Sequence, residues 1–245
     1  MFVVAVFNLC KIYYDYNKAD VVYGEIQDQY VAPIQEVTEP QNEPDDKPDD
    51  KPDIEKTPGA PVVIDFHSLL DRNKDIVGWL YCPDTIINYP VVQGKNNDQY
   101  LRRDLDGKYL RSGTLFADYR NDVLGKDSNY IIYGHNMKNE TMFHILTRYK
   151  EQEFYEQHPV MYYLTPEGNY KLELFAGLVV KRDDKIYVPD PGQDNFMDLL
   201  NDYKSTSTFR SEVTPQQDDI IVTLSTCSYE FDNARYIVIG RLIPA

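Results

Sequence analysis

Two runs rich in β-branched residues lie near the end of the chain, with a short polar segment between them. The runs extend over Asp219–Leu224 and Ala234–Leu242, and the polar, turn-rich residues 228–233 precede the second run. Such runs, bounded by turn residues, predict buried strands that are neighbours in one sheet. Cys227 follows the first run, and Arg235 is the first charged residue of the second. The pattern therefore predicts a thiol and a guanidinium side by side at one edge of a sheet.

A third apolar run, far upstream, ends in a histidine. Tyr130–Tyr133 predict a strand, and Gly134 and His135 follow it directly. A thiol, an imidazole and a guanidinium at strand ends suit covalent acyl transfer, because a thiolate attacks a carbonyl and leaves a thioester that an amine can open. The imidazole titrates near neutral pH and can transfer the protons. The guanidinium can stabilise the negative charge on the carbonyl oxygen.

Each of these three side chains also has a purely structural interpretation. Cys227 could be a core cysteine, since cysteines are common in buried strands. His135 could be a loop histidine that caps the following helix, and Arg235 could be a surface arginine in an ion pair. The residue pattern alone leaves these alternatives open.

Several segments resemble the signature segments of sortases, the cysteine transpeptidases of Gram-positive cell surfaces. The family resemblance is carried by Tyr-Gly-His-Asn-Met at 133–137, Thr-Leu-Ser-Thr-Cys at 223–227 and the following Arg235. Four more segments resemble class B: Val-Gly-Trp-Leu at 77–80, Ile-Asn-Tyr-Pro-Val-Val-Gln-Gly at 87–94, Gly-Thr-Leu-Phe-Ala-Asp at 113–118 and Thr-Met-Phe at 141–143. Their common order, over about Val62–Leu242, makes the resemblance to class B specific.

The resemblance implies an enzyme that binds the C-terminal sorting peptide of a secreted protein and cleaves it after threonine. Cys227 is then the nucleophile, His135 the general acid, and Arg235 the clamp for the oxyanion and the substrate. An amine of the cell-wall precursor resolves the thioester, or a pilin lysine does so in a pilin-polymerising enzyme of the same class. A cysteine hydrolase and a non-enzymatic surface-binding module are the alternatives.

The resemblance also implies a peptide-binding groove. Ser225 matches a serine that lines the groove in class B enzymes, and a buried strand serine is the structural alternative. Asn97, Leu101 and Tyr133 match class B positions near the groove, and plain packing or turn roles are the alternatives for these three.

The rest of the chain predicts further strands interrupted by a few helices, including an N-terminal helix. The strands are Ile76–Tyr81, Thr85–Val92, Thr114–Ala117, Val160–Leu164 and Tyr170–Val180. Helices are predicted at Thr141–Tyr149, at Asn195–Tyr203, and after the capping Asp65. The predicted fold is mainly β, a closed eight-stranded mixed barrel of the sortase type with peripheral helices, although the strand count alone also allows a sandwich.

Composition divides the chain into four parts. The resemblance implies an N-terminal membrane anchor. Residues 1–11 are predicted to be only its end, because their apolar run is shorter than the roughly 20 residues that span a bilayer; a short buried helix start is the alternative. Residues 12–37 predict an amphipathic helix that either forms a stalk or packs on the domain. Residues 38–61 predict an acidic, proline-rich disordered linker. Residues 62–245 form the predicted catalytic domain, which the resemblance places outside the cell membrane.

Charge and cysteine spacing exclude several functions. The formal net charge of −15 argues against a nucleic-acid partner, since phosphate binding needs a basic surface. Cys10, Cys82 and Cys227 are far apart and have neither metal-ligand spacing nor the pattern of a disulfide framework. Because phosphate-binding glycine loops and EF-hand spacing are also absent from the sequence, no cofactor and no metal is predicted.

Overall fold

The computed structural model describes residues 18–33, 59–122 and 127–245. Ten strands lie in these residues and are labelled in chain order. They are β1 (Val31–Pro33), β2 (Val62–Ile64), β3 (Ile76–Tyr81), β4 (Asn88–Val92), β5 (Leu115–Ala117), β6 (Asn129–Tyr133), β7 (Val160–Leu164), β8 (Asn169–Lys181), β9 (Ile220–Cys227) and β10 (Ala234–Pro244).

Strands β3 to β10 close into a barrel in the order β10-β8-β7-β3-β4-β5-β6-β9. The pairs β4–β5 and β6–β9 are parallel, and the other neighbours are antiparallel. β1 and β2 form a separate antiparallel pair. The prediction of a closed, mixed, eight-stranded barrel is therefore confirmed, and the sandwich is excluded.

The last two barrel strands alternate their side chains between two hydrophobic clusters, as the period of two of a strand requires. Val238 of β10 packs into the larger cluster with Trp79, whereas Ile237 belongs to a second cluster that is covered by Phe196 and Leu200. By the same alternation, Arg235 lies on the face of the second cluster. The end of this face is where the candidate site forms.

Helices surround the barrel. They are α1 (residues 18–30), α2 (Phe66–Arg72), a 3₁₀ helix (Phe143–Lys150), α3 (Gln152–Gln157) and α4 (Gln193–Ser205). Asp65 caps α2 as predicted, since its carboxylate accepts a hydrogen bond from the Ser68 amide at 3.0 Å. α3 was not predicted, and the helix predicted at Thr141–Tyr149 is a 3₁₀ helix that begins two residues later.

The N-terminal helix packs on the barrel. Its buried residues Tyr23 and Ile26 join the main core, and the Tyr23 hydroxyl donates to the Gly113 carbonyl. Gln27 donates from Nε2 to the Asn88 carbonyl at 2.7 Å. The predicted helix over 12–37 is wrong at its described C-terminal end, because the chain turns into β1 after Tyr30 and pairs with β2.

The strand predicted over Thr85–Val92 begins only at Asn88. A tight turn replaces its first residues: the Thr85 hydroxyl donates to the Cys82 carbonyl at 2.9 Å, and the Cys82 amide donates to the Ile87 carbonyl at 2.8 Å. These bonds hold the backbone out of the ladder. The predicted anchor at 1–11 and nearly all of the linker at 38–61 lie outside the described residues. Among the described helices, none is both long and apolar enough to cross a bilayer.

Candidate active site

Cys227 and Arg235 are directly opposite each other at the ends of two paired strands. Cys227 is the last residue of β9, and the antiparallel register pairs it with Arg235 of β10. Cys227 is a free, half-buried thiol, and together with Arg235 it borders an open cleft of about 510 Å³ whose remaining wall is the loop 228–233. The predicted neighbourhood of thiol and guanidinium is present, and the cysteine is not a fully buried core residue.

The end of β6 brings His135 to the same place. β6 runs parallel to β9 with Tyr133 paired to Ser225, and the Gly134 amide continues the ladder by donating to the Ser225 carbonyl at 3.1 Å. The Thr226 hydroxyl donates back to the Gly134 carbonyl at 2.8 Å. His135 therefore follows the last ladder residue of β6, just as Cys227 ends β9.

Gly134 allows Leu115 and Phe143 to pack closely against the backbone just before His135, because glycine lacks a Cβ. A Cβ at this position would lie 2.5 Å from Leu115 Cδ2 and 2.6 Å from Phe143 Cδ2, which are distances that real side chains do not adopt. The glycine before the histidine thus has a packing reason.

A backbone carbonyl fixes the His135 ring. Nε2 lies 2.8 Å from the Leu101 carbonyl oxygen, and because a carbonyl only accepts, Nε2 carries the proton. Nδ1 is therefore the nitrogen left for proton exchange. Burial lowers the pKa of His135 because it disfavours the imidazolium, and the hydrogen bond to Leu101 only partly opposes this effect. The side chain does not cap the following helix.

Three of the predicted groove residues make side-chain hydrogen bonds beside this centre, whereas the Leu101 side chain packs on the main core. Asn97 donates from Nδ2 to Asp118 Oδ2 at 3.0 Å, and the Tyr133 hydroxyl donates to the same oxygen at 2.9 Å. Ser225 is buried, and its hydroxyl shares a 2.8 Å hydrogen bond with the Tyr187 hydroxyl. Tyr187 in turn stacks on Tyr133 with 6.0 Å between ring centroids.

Comparison with known proteins agrees with this geometry. A family model for the sortase domain matches residues 80–243. The chain belongs to the sortase family. It is 38% identical to sortase B of Listeria monocytogenes over 183 residues, which cover 73% of this chain and 74% of the relative.

Solved structures place this sortase in class B. The substrate complex of Staphylococcus aureus sortase B has a TM-score of 0.69 and 36% identity, covering 74% of this chain and 85% of that one. A crystal structure of sortase B complexed with triglycine has the same TM-score and identity, covering 74% and 86%. The predicted class B resemblance is confirmed, and the chain is a cysteine transpeptidase of this type.

Asp118 of this sortase was not given a role from sequence, although Asn97 and Tyr133 both donate to it. Its side chain is fully buried and also accepts from the Arg120 guanidinium at 2.8 Å through both oxygens. Burial alone would raise the pKa of Asp118, but hydrogen bonds from Arg120, Asn97 and Tyr133 outweigh burial and hold it below its ordinary value of 3.8. Only the fold reveals this role, since Asn97 and Tyr133 are far from Asp118 in sequence.

The Asp118→Asn substitution is expected to lower the free energy of unfolding at pH 7 by about 2 kcal/mol, because charge-assisted hydrogen bonds are lost. The melting temperature should fall by roughly 4–8 °C. Since the folded-state pKa lies below the unfolded one, the contribution of Asp118 is complete above the unfolded pKa and disappears as pH falls through the folded one. Thermal unfolding of the wild type and of Asp118→Asn at pH 7 and at pH ~2.5 tests this, because the difference between their stabilities should be smaller at the lower pH.

Asp106→Asn is the matched control for that measurement. Asp106 pairs with Arg72 at 2.8 Å near the surface, where ion pairs contribute about 0–1 kcal/mol. Equal destabilisation by both substitutions at pH 7, or a difference for Asp118→Asn that is independent of pH, would contradict the prediction.

Cys82 contrasts with Cys227 in this sortase. It is only 1% exposed, and burial raises its pKa to about 11. Its sulfur lies 4.0 Å from the Tyr149 hydroxyl inside the core. This environment is that of an inert packing residue, which agrees with the interpretation made from sequence.

Proposed function

We propose that Cys227, His135 and Arg235 perform the transpeptidation, with Cys227 as the nucleophile. The observation that carries the proposal is the meeting of three strand ends. Cys227 lies opposite Arg235 in the ladder, and both border one cleft. His135 comes directly after the Gly134–Ser225 bond, which joins the end of β6 to β9. The combination of an accessible thiol, a titratable ring and a fixed positive charge is what acyl transfer through a thioester requires.

In the first half-reaction, the Cys227 sulfur forms a bond to the peptide carbonyl carbon while Nδ1 of His135 accepts the thiol proton. The oxyanion that results lies next to the Arg235 guanidinium, whose donors stabilise it. When this intermediate collapses, the carbon–nitrogen bond breaks and the imidazolium returns the proton to the leaving amine. The product is a thioester on Cys227 and a free C-terminal fragment.

In the second half-reaction, an acceptor amine attacks the thioester carbonyl. His135 accepts a proton from that amine, and as the carbon–sulfur bond breaks, the proton returns to the Cys227 sulfur. The net result exchanges one amide for another without an added energy source. Water in place of the amine would give hydrolysis instead.

The substrate is proposed to be a sorting peptide of a secreted surface protein, bound along Asn97, Leu101, Tyr133 and Ser225 and cleaved after threonine. The acceptor is proposed to be an amine of the cell-wall precursor. The substrate and triglycine complexes of the related sortase B structures support both partner classes. The resemblance supports a single N-terminal anchor at 1–11, a spacer at 38–61, and a catalytic domain at 62–245 outside the cell membrane.

The acceptor is tested with triglycine. The enzyme is incubated with a peptide library that has threonine before the scissile bond, with and without triglycine, and the products are identified by mass spectrometry. We expect a new product that joins the threonine carboxyl group to triglycine, with a corresponding decrease of the free acid. A lysine-containing pilin-like peptide serves as the competing acceptor.

Three outcomes separate the alternatives. Preferential transfer to triglycine supports a cell-wall amine, and preferential transfer to the lysine peptide would redirect the proposal to pilin polymerisation. Release of free acid at a rate that neither amine changes would contradict the amine acceptor and indicate a cysteine hydrolase.

A further inference from the structure

Asn136 links the two proposed catalytic residues His135 and Cys227. It follows His135 directly in the chain, and its Nδ2 donates to the Cys227 carbonyl oxygen at 2.8 Å. The dipeptide His135–Asn136 therefore carries the imidazole, and it also binds the backbone of Cys227, whose side chain is the thiol. The bond joins residues 91 positions apart, so it exists only in the folded barrel.

The bond lies where the ladder between β6 and β9 ends. On this side of Cys227, the Gly134 amide reaches Ser225 and the Thr226 hydroxyl reaches the Gly134 carbonyl. Asn136 adds the last contact, to Cys227 itself. After Cys227 the chain enters the loop 228–233, where Tyr229 is 78% exposed. Asn136 thus adds a contact to Cys227 on the β6 side of β9, beyond the last β6–β9 pair, while β10 pairs with Cys227 on the other side.

His144 determines which way the Asn136 amide points. Its Nδ1 lies 2.7 Å from Asn136 Oδ1. Because the amide nitrogen is committed to the Cys227 carbonyl, the amide oxygen must accept, and Nδ1 of His144 must donate. His144 therefore donates to Asn136, and Asn136 donates to the Cys227 carbonyl.

His144 lies in the 3₁₀ helix, and the start of this helix makes backbone contacts with His135 and Asn136. The Phe143 amide donates to the His135 carbonyl at 3.0 Å, and Asn136 forms a bridge with Met142. No role for His144 follows from its position in the sequence. In the fold, it is one bond away from the residue that holds the nucleophile.

We propose that Asn136 and His144 are positioning residues for the thiol–imidazole pair. Asn136 sets the separation between the Cys227 sulfur and the His135 ring, and His144 keeps the Asn136 amide in the orientation that does so. This inference rests on the proposed roles of Cys227 and His135. Because both residues are proposed to act on Cys227 and His135 and not on the peptide, their loss is expected to change the rate of acylation and to leave peptide binding intact.

Asn136→Ala tests the first step. The rate of acyl-enzyme formation on Cys227 is measured by mass spectrometry in single turnovers, with the threonine peptide library as substrate. A displacement of about 1 Å can cost on the order of 10²-fold in rate, so we expect kcat to fall by about 10- to 100-fold while KM stays within about twofold. A raised KM with unchanged kcat, or acylation at the wild-type rate, would overturn the proposal.

Asn139→Ala is the matched control. Asn139 is half-buried in the same loop, its amide oxygen accepts from the Thr141 hydroxyl at 2.9 Å, and its side chain also hydrogen-bonds Asp20 of α1. Its kcat is expected to stay within about twofold of the wild type. A loss equal to that of Asn136→Ala would show that any disturbance of this loop has the same effect, and would overturn the positioning role.

Two substitutions of His144 test the orienting step and do not depend on the folding of Asn136→Ala. The amide nitrogen of asparagine can take the place of the imidazole Nδ1, so His144→Asn keeps the donor and is expected to retain at least about half of the wild-type kcat. His144→Leu removes the donor and is expected to lose about tenfold. Equal activity of the two variants, at equal melting temperature, would overturn the orienting role.

A measurement without substrate separates this proposal from the function on which it rests. Alkylation of Cys227 by iodoacetamide depends on the nearby imidazole, so Asn136→Ala is expected to slow it at least about threefold. A wild-type enzyme that never acylates Cys227 would defeat the proposed function. Unchanged alkylation in Asn136→Ala would defeat the positioning proposal even if wild-type acylation is observed.

Discussion

Replacement of Cys227 by alanine is expected to abolish acyl-enzyme formation and reduce turnover by at least about 10⁴-fold. The physical reason is that, among the described residues at the cleft, no other side chain can form the thioester: Arg235 is not a nucleophile, and Cys82 is buried in the core with a raised pKa. The measurement combines product analysis with intact-protein mass spectrometry after addition of the peptide library. Melting temperature should change little, because Cys227 is only half-buried.

Cys82→Ala is the control for this prediction. It should acylate at the wild-type rate, since its sulfur contacts the Tyr149 hydroxyl and not the cleft. Iodoacetamide followed by peptide mapping adds an independent comparison, in which Cys227 is labelled much faster than Cys82. Residual acylation of the Cys227→Ala protein would refute the assignment of the nucleophile.

Arg235→Ala is expected to lower kcat by about 10²- to 10³-fold, the usual cost of removing a donor to an oxyanion. The guanidinium lies opposite Cys227 in the ladder, and one of its nitrogens donates to the Ala234 carbonyl at 2.9 Å, which anchors the head group beside the cleft. Arg235→Lys should recover only part of the loss, because an ammonium group lacks the forked donors. Steady-state kinetics of both variants measure the effect.

Arg241 provides the control on the same strand. It lies six residues further along β10, and its guanidinium is paired with Glu173 at 2.9 Å and Asp219 at 3.5 Å. Arg241→Ala should therefore leave kcat within about twofold of the wild type. If Arg235→Ala raised KM alone, the guanidinium would bind the peptide without stabilising the oxyanion, and that part of the mechanism would be wrong.

The sequence was most informative where local pattern controls structure. The β-branched runs predicted β9 and β10, and the turn between them predicted their pairing, because side-chain alternation and turn residues act over a few positions. Cys227 and Arg235 were therefore predicted to be neighbours from residues less than ten positions apart. The capping role of Asp65 was correct for the same reason.

Predictions were poorer where other contacts override the helix or strand preference of a segment. The helical pattern at the N-terminus continues past Tyr30, yet the chain turns there because Val31–Pro33 pair with a strand that begins at Val62. The β-branched character of residues 85–87 favours a strand, but the Thr85 hydroxyl bonds form a turn instead. Propensity is a weak determinant when strand pairing with a distant segment, or a hydrogen bond within a turn, competes with it.

Sequence alone determined which chemical groups this sortase carries and that each stands at the end of a strand. The tertiary structure decided the rest: the parallel placement of β6 beside β9, the Leu101 carbonyl that selects the tautomer of His135, and the Asn136 bond that holds Cys227. These contacts join residues 34 to 92 positions apart. No local pattern encodes them, because they form only when barrel closure brings distant segments within hydrogen-bonding distance.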